Sequence, residues 1–413
     1  MAKASKRIAI ISSCLEDWGG SEELWGRAIP HFQSAGYSIV VLKRNLNKQH
    51  EQFVHLSRQG VLLKELLPAA WILNATKKQA TLSRVINMFS RLVQKCFTRV
   101  INRLRRDHIL YHDDNSYWVK KRLQKIQPQF VIISQGMNFD GLEMAYGCLQ
   151  LEIPYALIAQ KAVDFYWPAH INRAGLLKVY QHASCSYFVS NHNKRLTEEQ
   201  FGTRFPKSEV IYNTVKVARQ LIPMPGTEQG FRLACIGRYF LLDKGQDILI
   251  RIMAMPKWKT RPITISFIGA GNDKEALMAM VALLGLENVQ FLDYVEDITR
   301  LWQHHHALIL PSRSEGLPLV LLEAMACGRT AIVSMAGGNP EVITDGVTGF
   351  IGHANEDDFD RAMERAWEAR NEWDMVGKRA YAFIEEHVPL QPEKHFADSL
   401  LSRIENEPVK INA

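Results

Sequence analysis

Short apolar runs alternate with amphipathic stretches along most of the chain, and this alternation constrains the fold more than any other feature. Its first forty residues show the unit. Ile8-Ala9-Ile10-Ile11-Ser12-Ser13 reads as a strand, Gly19-Gly20-Ser21-Glu22 as a turn that opens a helix running to Ala35, and Ser38-Ile39-Val40-Val41-Leu42 as a second strand after the stop at Gly36. That is a βαβ unit. The pattern continues at residues 130–134, 155–159 and 187–190, so the first half is expected to be an α/β unit on a parallel sheet.

Proline and glycine crowd residues 223–230, and a fresh apolar run starts at Leu233. Strands are expected at 263–268, 289–292, 308–310 and 331–333, with helical patterns near 245–255, 273–284, 297–304 and 318–326. This predicts a first domain at 1–222, a second at 223–390, and a C-terminal helix in 391–413 that returns to the first. Two doubly wound α/β domains in tandem face each other across a central cleft at the carboxyl ends of their strands, where such folds bind ligands. The length of 413 residues suits two cores, and 47% hydrophobic with 23% charged residues excludes wholesale disorder. No apolar run approaches the ~18 residues of a spanning helix, and the run after Lys6 and Arg7 is too short for a secretory signal. Six cysteines without a CxxC pair fit a reducing compartment, so a cytoplasmic location is expected.

The densest motif runs from Ser312 to Gly328 and reads SRSEGLPLVLLEAMACG. It follows a predicted strand and opens a predicted helix, placing Glu315 in the turn and Glu323 eight residues later. A helix N-terminus presents unpaired N–H groups and a positive dipole end to phosphate or sugar oxygens, and carboxylates accept from hydroxyls. Two glutamates alone would read better as a cap and a solvated helical residue. The whole string, however, closely resembles the E-x7-E signature of family-4 retaining glycosyltransferases of the GT-B fold. The resemblance extends to Gly237-Arg238 with Lys244-Gly245, to Phe267-Ile268-Gly269-Ala270-Gly271, to Val210-Ile211-Tyr212-Asn213, and to Gly337-Gly338-Asn339-Pro340-Glu341 with Asp345-Gly346-Val347-Thr348-Gly349.

The resemblance implies specific roles. Arg238 and Lys244 would hold the diphosphate of a nucleotide sugar, Glu323 the ribose hydroxyls, and Glu315 with the N–H groups of Gly316 and Leu317 the donor sugar, with Leu319 also in the donor pocket. Gly20 would let backbone approach the donor. Where many members carry a histidine this chain has Gln160, and Lys161 and Asp164 are the neighbouring polar candidates on the acceptor side. Physics supports the two cations, because cleaving a sugar–diphosphate bond builds negative charge on the leaving group. The implied reaction is transfer from a nucleotide diphosphate sugar, expected to be UDP-linked, to a saccharide or lipid-linked saccharide in polysaccharide or lipopolysaccharide synthesis, with no metal or other cofactor. A nucleotide-sugar epimerase of the same fold and a non-catalytic membrane-associated scaffold are the alternatives.

Other signals weigh less. Asp358-Phe359-Asp360 matches a D-x-D metal motif but lies in an acidic run suited to a helix start. His304-His305-His306 is expected on a solvated helix surface, since consecutive helical side chains diverge. Tyr111-His112-Asp113-Asp114 reads as a polar loop, and Gly269-Ala270-Gly271 lacks the third glycine of a dinucleotide fingerprint.

The net charge is +7, yet residues 77–126 alone carry +10, leaving a slightly acidic remainder. Within this segment apolar residues from Leu82 to Leu104 recur at helical spacing opposite Arg84, Arg91, Lys95, Arg99, Arg103 and Arg106. Two readings stay open: a core-packing helix with a solvated face, or attachment to an anionic membrane surface. Nucleic acid is not expected, for no recognition module accompanies the charge.

Overall fold

The computed structural model describes residues 6–66 and 114–406, apart from residues 15, 169, 171, 294 and 296. Most of the basic segment therefore lies outside the described residues, as do Tyr111, His112 and Asp113; its end, Asp114–Ile126, is a helix.

The described strands form two all-parallel sheets. The first comprises β1 (Arg7–Ser12), β2 (Ser38–Lys43), β3 (Leu62–Glu65), β4 (Phe130–Gln135), β5 (Tyr155–Ala159), β6 (Cys185–Phe188) and β7 (Ser208–Val210), in the order β3-β2-β1-β4-β5-β6-β7. The second comprises β8 (Phe231–Ile236), β9 (Ile263–Ile268), β10 (Val289–Leu292), β11 (Ala307–Leu310), β12 (Thr330–Ser334) and β13 (Phe350–Gly352), in the order β10-β9-β8-β11-β12-β13. The architecture is that of a GT-B protein.

Side-chain alternation along each strand explains the two wound faces. In β1, Ile8 and Ile10 bury on one face with Trp25, Ile29 and Phe32, whereas Ala9 and Ile11 bury on the other with Leu123 and Leu142. The second sheet does the same: Leu233 and Cys235 join Trp258 and Phe359, while Ala234 joins Leu308 and Leu321. Because both faces are covered, the strands read as continuous apolar runs.

The helix Pro392–Asn406 crosses back to the first sheet. Its Phe396, Ala397, Leu400 and Ile404 are buried in the core that holds Phe32 and Tyr187, and the Phe396 ring meets Tyr187 edge-on with centroids 5.0 Å apart. No described helix is long and apolar enough to cross a membrane.

In each sheet the strand order reverses direction beside the first strand, between β1 and β4 and between β8 and β11. Crevices form at such switch points. The loops that leave β1, β8 and β11 carry Gly20, Arg238 and Glu315.

Candidate active site

The loop after β1 is shaped by a buried ion pair. Glu22, in the first turn of the helix Gly20–Ser34, is fully buried, and its Oε1 accepts from Lys43 Nζ at 3.0 Å and from Ser12 Oγ at 2.8 Å. Its Oε2 accepts from the Gly19 N–H at 3.1 Å and from Ser21 Oγ at 2.6 Å. Lys43 Nζ also donates to Ser12 Oγ and to the Cys14 carbonyl. One carboxylate thus ties the end of β2 to both sides of the Gly19-Gly20 turn. Burial, followed by the nearby Glu22 charge, pushes the Cys14 thiol up to about 12, so Cys14 stays protonated.

On the other side, Glu315 sits in the turn after β11 and is buried. Its Oε1 accepts from Lys244 Nζ at 2.6 Å and from Ser312 Oγ at 2.7 Å. Lys244 ends the short helix Leu241–Lys244, and Gly245 follows at φ 60°, a left-handed conformation that glycine adopts without strain. Gly337 holds φ 56°, and a Cβ there would strike the Glu315 carbonyl oxygen, so the glycine pair 337–338 shapes the back of this turn. Glu323 lies in the helix Leu319–Ala326 and is 5% exposed. Burial pushes its carboxyl above the usual range, while the backbone N–H and charge of Lys216 pull it back.

The two halves meet along this line. A Cβ on Gly316 would collide with the Gln160 carbonyl oxygen at the end of β5, so the second half presses its turn directly on the first. A Cβ on Gly20 would lie 3.1 Å from Leu319 Cδ1, which sets the glycine loop opposite the start of the Glu323 helix. Lys161 Nζ donates to Asp243 Oδ2 at 2.6 Å. Gln160 Oε1 accepts from Asn213 Nδ2 at 2.7 Å. Lys216 Nζ pairs with Glu23 at 2.8 Å, Arg238 pairs with Glu16, and Glu341 accepts from the N–H groups of Asn191 and His192. Burial would raise the Glu23 carboxyl, but hydrogen bonds from Lys216, Trp18 and Arg27 outweigh it and hold the group below the usual range.

Gly20, Gln160, Lys161, Lys244, Glu315, Gly316, Leu319 and Glu323 therefore line one seam. Leu317 is buried beside Gly338, and Arg238 lies at the exposed rim. Asp164 is not drawn in: it is exposed on the loop beyond Lys161.

The histidine run departs from expectation. The helix ends at Trp302, and His305 and His306 are 6% and 2% exposed rather than solvated. His305 Nδ1 donates to the Leu301 carbonyl and Nε2 faces Ser266 Oγ, whereas His306 Nδ1 accepts from the Arg232 N–H and Nε2 faces the Gly226 carbonyl. They stitch the second sheet to the preceding linker. The acidic run does start a helix, Glu356–Glu368, and Asp360 bonds Lys257 and Trp258 Nε1 instead of pairing with Asp358.

Lys43, Asp243 and Lys216 escaped the sequence reading. Each is a common surface residue type, and only the tertiary fold supplies its partner. Lys43 had one clue, since it directly continues an apolar run that alternation buries.

Residues 230–369 match the family model described as Glycosyl transferases group 1. The chain is 32% identical over 133 residues to the GDP-mannose-dependent alpha-(1-6)-phosphatidylinositol monomannoside mannosyltransferase of Mycolicibacterium smegmatis, a match that spans 29% of this chain and about a third (34%) of that protein. It is 26% identical over 304 residues to the D-rhamnosyltransferase WbpZ of Pseudomonas aeruginosa, covering 68% of this chain and 76% of the relative. Among solved structures, Anabaena HepE in complex with UDP superposes with a TM-score of 0.69 at 17% identity, over 96% of this chain and 100% of that one. At that identity the likeness establishes the fold.

Proposed function

We propose, on the premise that residues 230–369 are a glycosyl transferases group 1 domain, that this protein is a retaining glycosyltransferase acting on a nucleotide diphosphate sugar. The observation that carries the reading is the Lys244–Glu315–Ser312 cluster, which holds a carboxylate and a cation together at the start of a helix, across a seam from the glycine loop.

In this reading the diphosphate lies against Arg238 and Lys244, and the donor sugar's hydroxyls donate to Glu315. The N–H groups of Gly316 and Leu317 meet the sugar, Leu319 packs against the donor, and Glu323 accepts from the ribose hydroxyls. As the sugar–phosphate bond breaks, negative charge grows on the departing diphosphate, and the two cations stabilise it without reorganising. The acceptor hydroxyl enters on the face the nucleotide leaves and passes its proton to the leaving phosphate oxygen. No second carboxylate base is needed, and we propose no metal. Gln160 and Lys161, at the end of β5, face the acceptor side, and Asp164 adds a carboxylate further out.

We propose a UDP-linked donor and a saccharide or lipid-linked saccharide acceptor of cell-surface polysaccharide. The GDP-mannose-dependent relative makes GDP the competing base. The enzyme would work in the cytoplasm, with the basic segment 77–126 at an anionic membrane face.

Thermal shift with UDP, UDP-glucose, GDP and GDP-mannose tests the donor, because a ligand of the native state raises its stability with concentration. Uridine ligands should shift the melt and guanosine ligands should not. Donor hydrolysis then tests the site: Arg238→Ala, Lys244→Ala and Glu323→Ala should each lower kcat/KM about a hundredfold, the effect of losing ~3 kcal/mol of stabilisation. Activity untouched by all three would sink the assignment, and release of an epimerised free nucleotide sugar would make the protein an epimerase.

A further inference from the structure

The loop after β5 carries three consecutive aromatic side chains into solvent: Phe165, Tyr166 and Trp167 are 72%, 39% and 54% exposed. Single exposed aromatics are ordinary, but a contiguous run on a fixed backbone marks a binding surface. This backbone is fixed. The fully buried Gln200 donates from Nε2 to the carbonyls of Val163 and Tyr166 at 2.8 and 3.0 Å, and its Oε1 accepts from Asn138 Nδ2 at 2.7 Å. The Asn138 N–H in turn donates to the Lys161 carbonyl at 2.8 Å. The loop is thus bolted to the helix Asn191–Phe201, and its aromatics are presented rather than loose.

The chemistry of the patch narrows its ligand. The Trp167 indole N–H is used internally, donating to the Asp164 carbonyl at 2.6 Å, so the indole has only its ring to offer a partner. The Tyr166 ring leans on Phe139, with centroids 5.5 Å apart. Asp164 is exposed beside these rings, and Asp140 and Glu143 add negative charge around the Tyr166 hydroxyl. Among the described residues, Lys161 is paired with Asp243, and the Arg173 guanidinium donates to the Gln200 carbonyl. An acidic surround repels an anionic bilayer, and carboxylates among aromatic faces suit a ligand that combines C–H faces with hydroxyl donors. Sugars have that combination.

We propose that Phe165 and Trp167 form a stacking platform for a pyranose ring of a neutral saccharide, with Asp164 accepting from its hydroxyls. This rests on the glycosyltransferase reading, for the ring would belong to the acceptor beyond its reacting hydroxyl. Phe165 and Trp167 are four and six residues past Lys161, which touches the second half, so their backbone lies within about 14 and 22 Å of the Lys161 backbone. That keeps the platform on the chain that leaves the seam at Gln160 and Lys161.

The test uses the full chain on a printed array of neutral and anionic oligosaccharides, and in parallel sediments it with phosphatidylethanolamine–phosphatidylglycerol vesicles. Retention by neutral saccharides should weaken about tenfold in Phe165→Ala and in Trp167→Ala, the factor expected for ~1.4 kcal/mol of lost ring contact. Both variants should melt with the wild type, since their side chains pack little against the core. Retention by no printed saccharide, retention indifferent to both substitutions, or vesicle sedimentation that both substitutions abolish would each overturn the platform. Array retention needs no turnover, so failure of the catalytic reading would show separately, as wild-type protein that neither binds nor hydrolyses a nucleotide sugar.

Discussion

At the scale of single residues, the Glu22–Lys43 pair explains why a turn as plain as Gly19-Gly20 holds a fixed shape. Both members are buried, and Glu22 accepts hydrogen bonds from the turn on each side, from the Gly19 N–H and Ser21 Oγ. Removing one partner strands a charge in the core, which typically costs 3–5 kcal/mol, whereas replacing both by apolar groups can be close to neutral. Chemical denaturation should therefore find Lys43→Met destabilised by about that much and Glu22→Leu/Lys43→Met much less so. If the double variant is as unstable as the sum of both singles, the pair does not act as a unit. Such residues are where sequence reading ran out. Glu315 and Glu323 stand out because a dense string of neighbours surrounds them, and Lys244 through the shorter resemblance at Gly237-Arg238 and Lys244-Gly245, but Lys43, Asp243 and Lys216 have no local signature. Their partners lie 21, 82 and 193 residues away, at Glu22, Lys161 and Glu23.

At the scale of elements, the strands were legible because a sheet covered on both faces writes itself as apolar runs. Helix ends were less so. The histidine run is expected on a solvated helix surface, but the helix stops at Trp302 and the chain turns inward to β11, carrying His305 and His306 with it. Burial holds both imidazoles below their usual value, with Arg232 adding repulsion. His306 Nδ1 already accepts an N–H, so a second proton has no partner there. An unfolded histidine takes up its proton at pH ~6.5 while the folded one resists, so the unfolded state binds more protons as pH falls. The stability these two residues supply is thus present above that pH and lost as pH drops toward the folded values. Urea midpoints should fall between pH 7.5 and pH 5.5, and His306→Gln should flatten part of that dependence; an unchanged slope would show that the ring does not stay neutral.

At the scale of the whole molecule, a few contacts decide how the two sheets sit. The Gly316 turn abuts the Gln160 carbonyl with no room for a methyl group, and Lys161–Asp243 closes the same seam. Gly316→Ala should force the halves apart at that point. Small-angle scattering should then report a larger radius of gyration, and donor hydrolysis should drop at least tenfold while each sheet keeps its secondary structure. An unchanged radius together with unchanged activity would show that the seam relaxes around the extra carbon. A second whole-chain feature concerns time rather than space. The helix Pro392–Asn406 buries Phe396 and Leu400 against the first sheet, yet it follows that sheet's last strand, β7, by roughly 180 residues. At 5–20 residues per second, a ribosome needs on the order of 10–40 s to cover that interval. Throughout it, the groove awaiting Phe396 is open on the nascent chain, so the half made first is the half finished last.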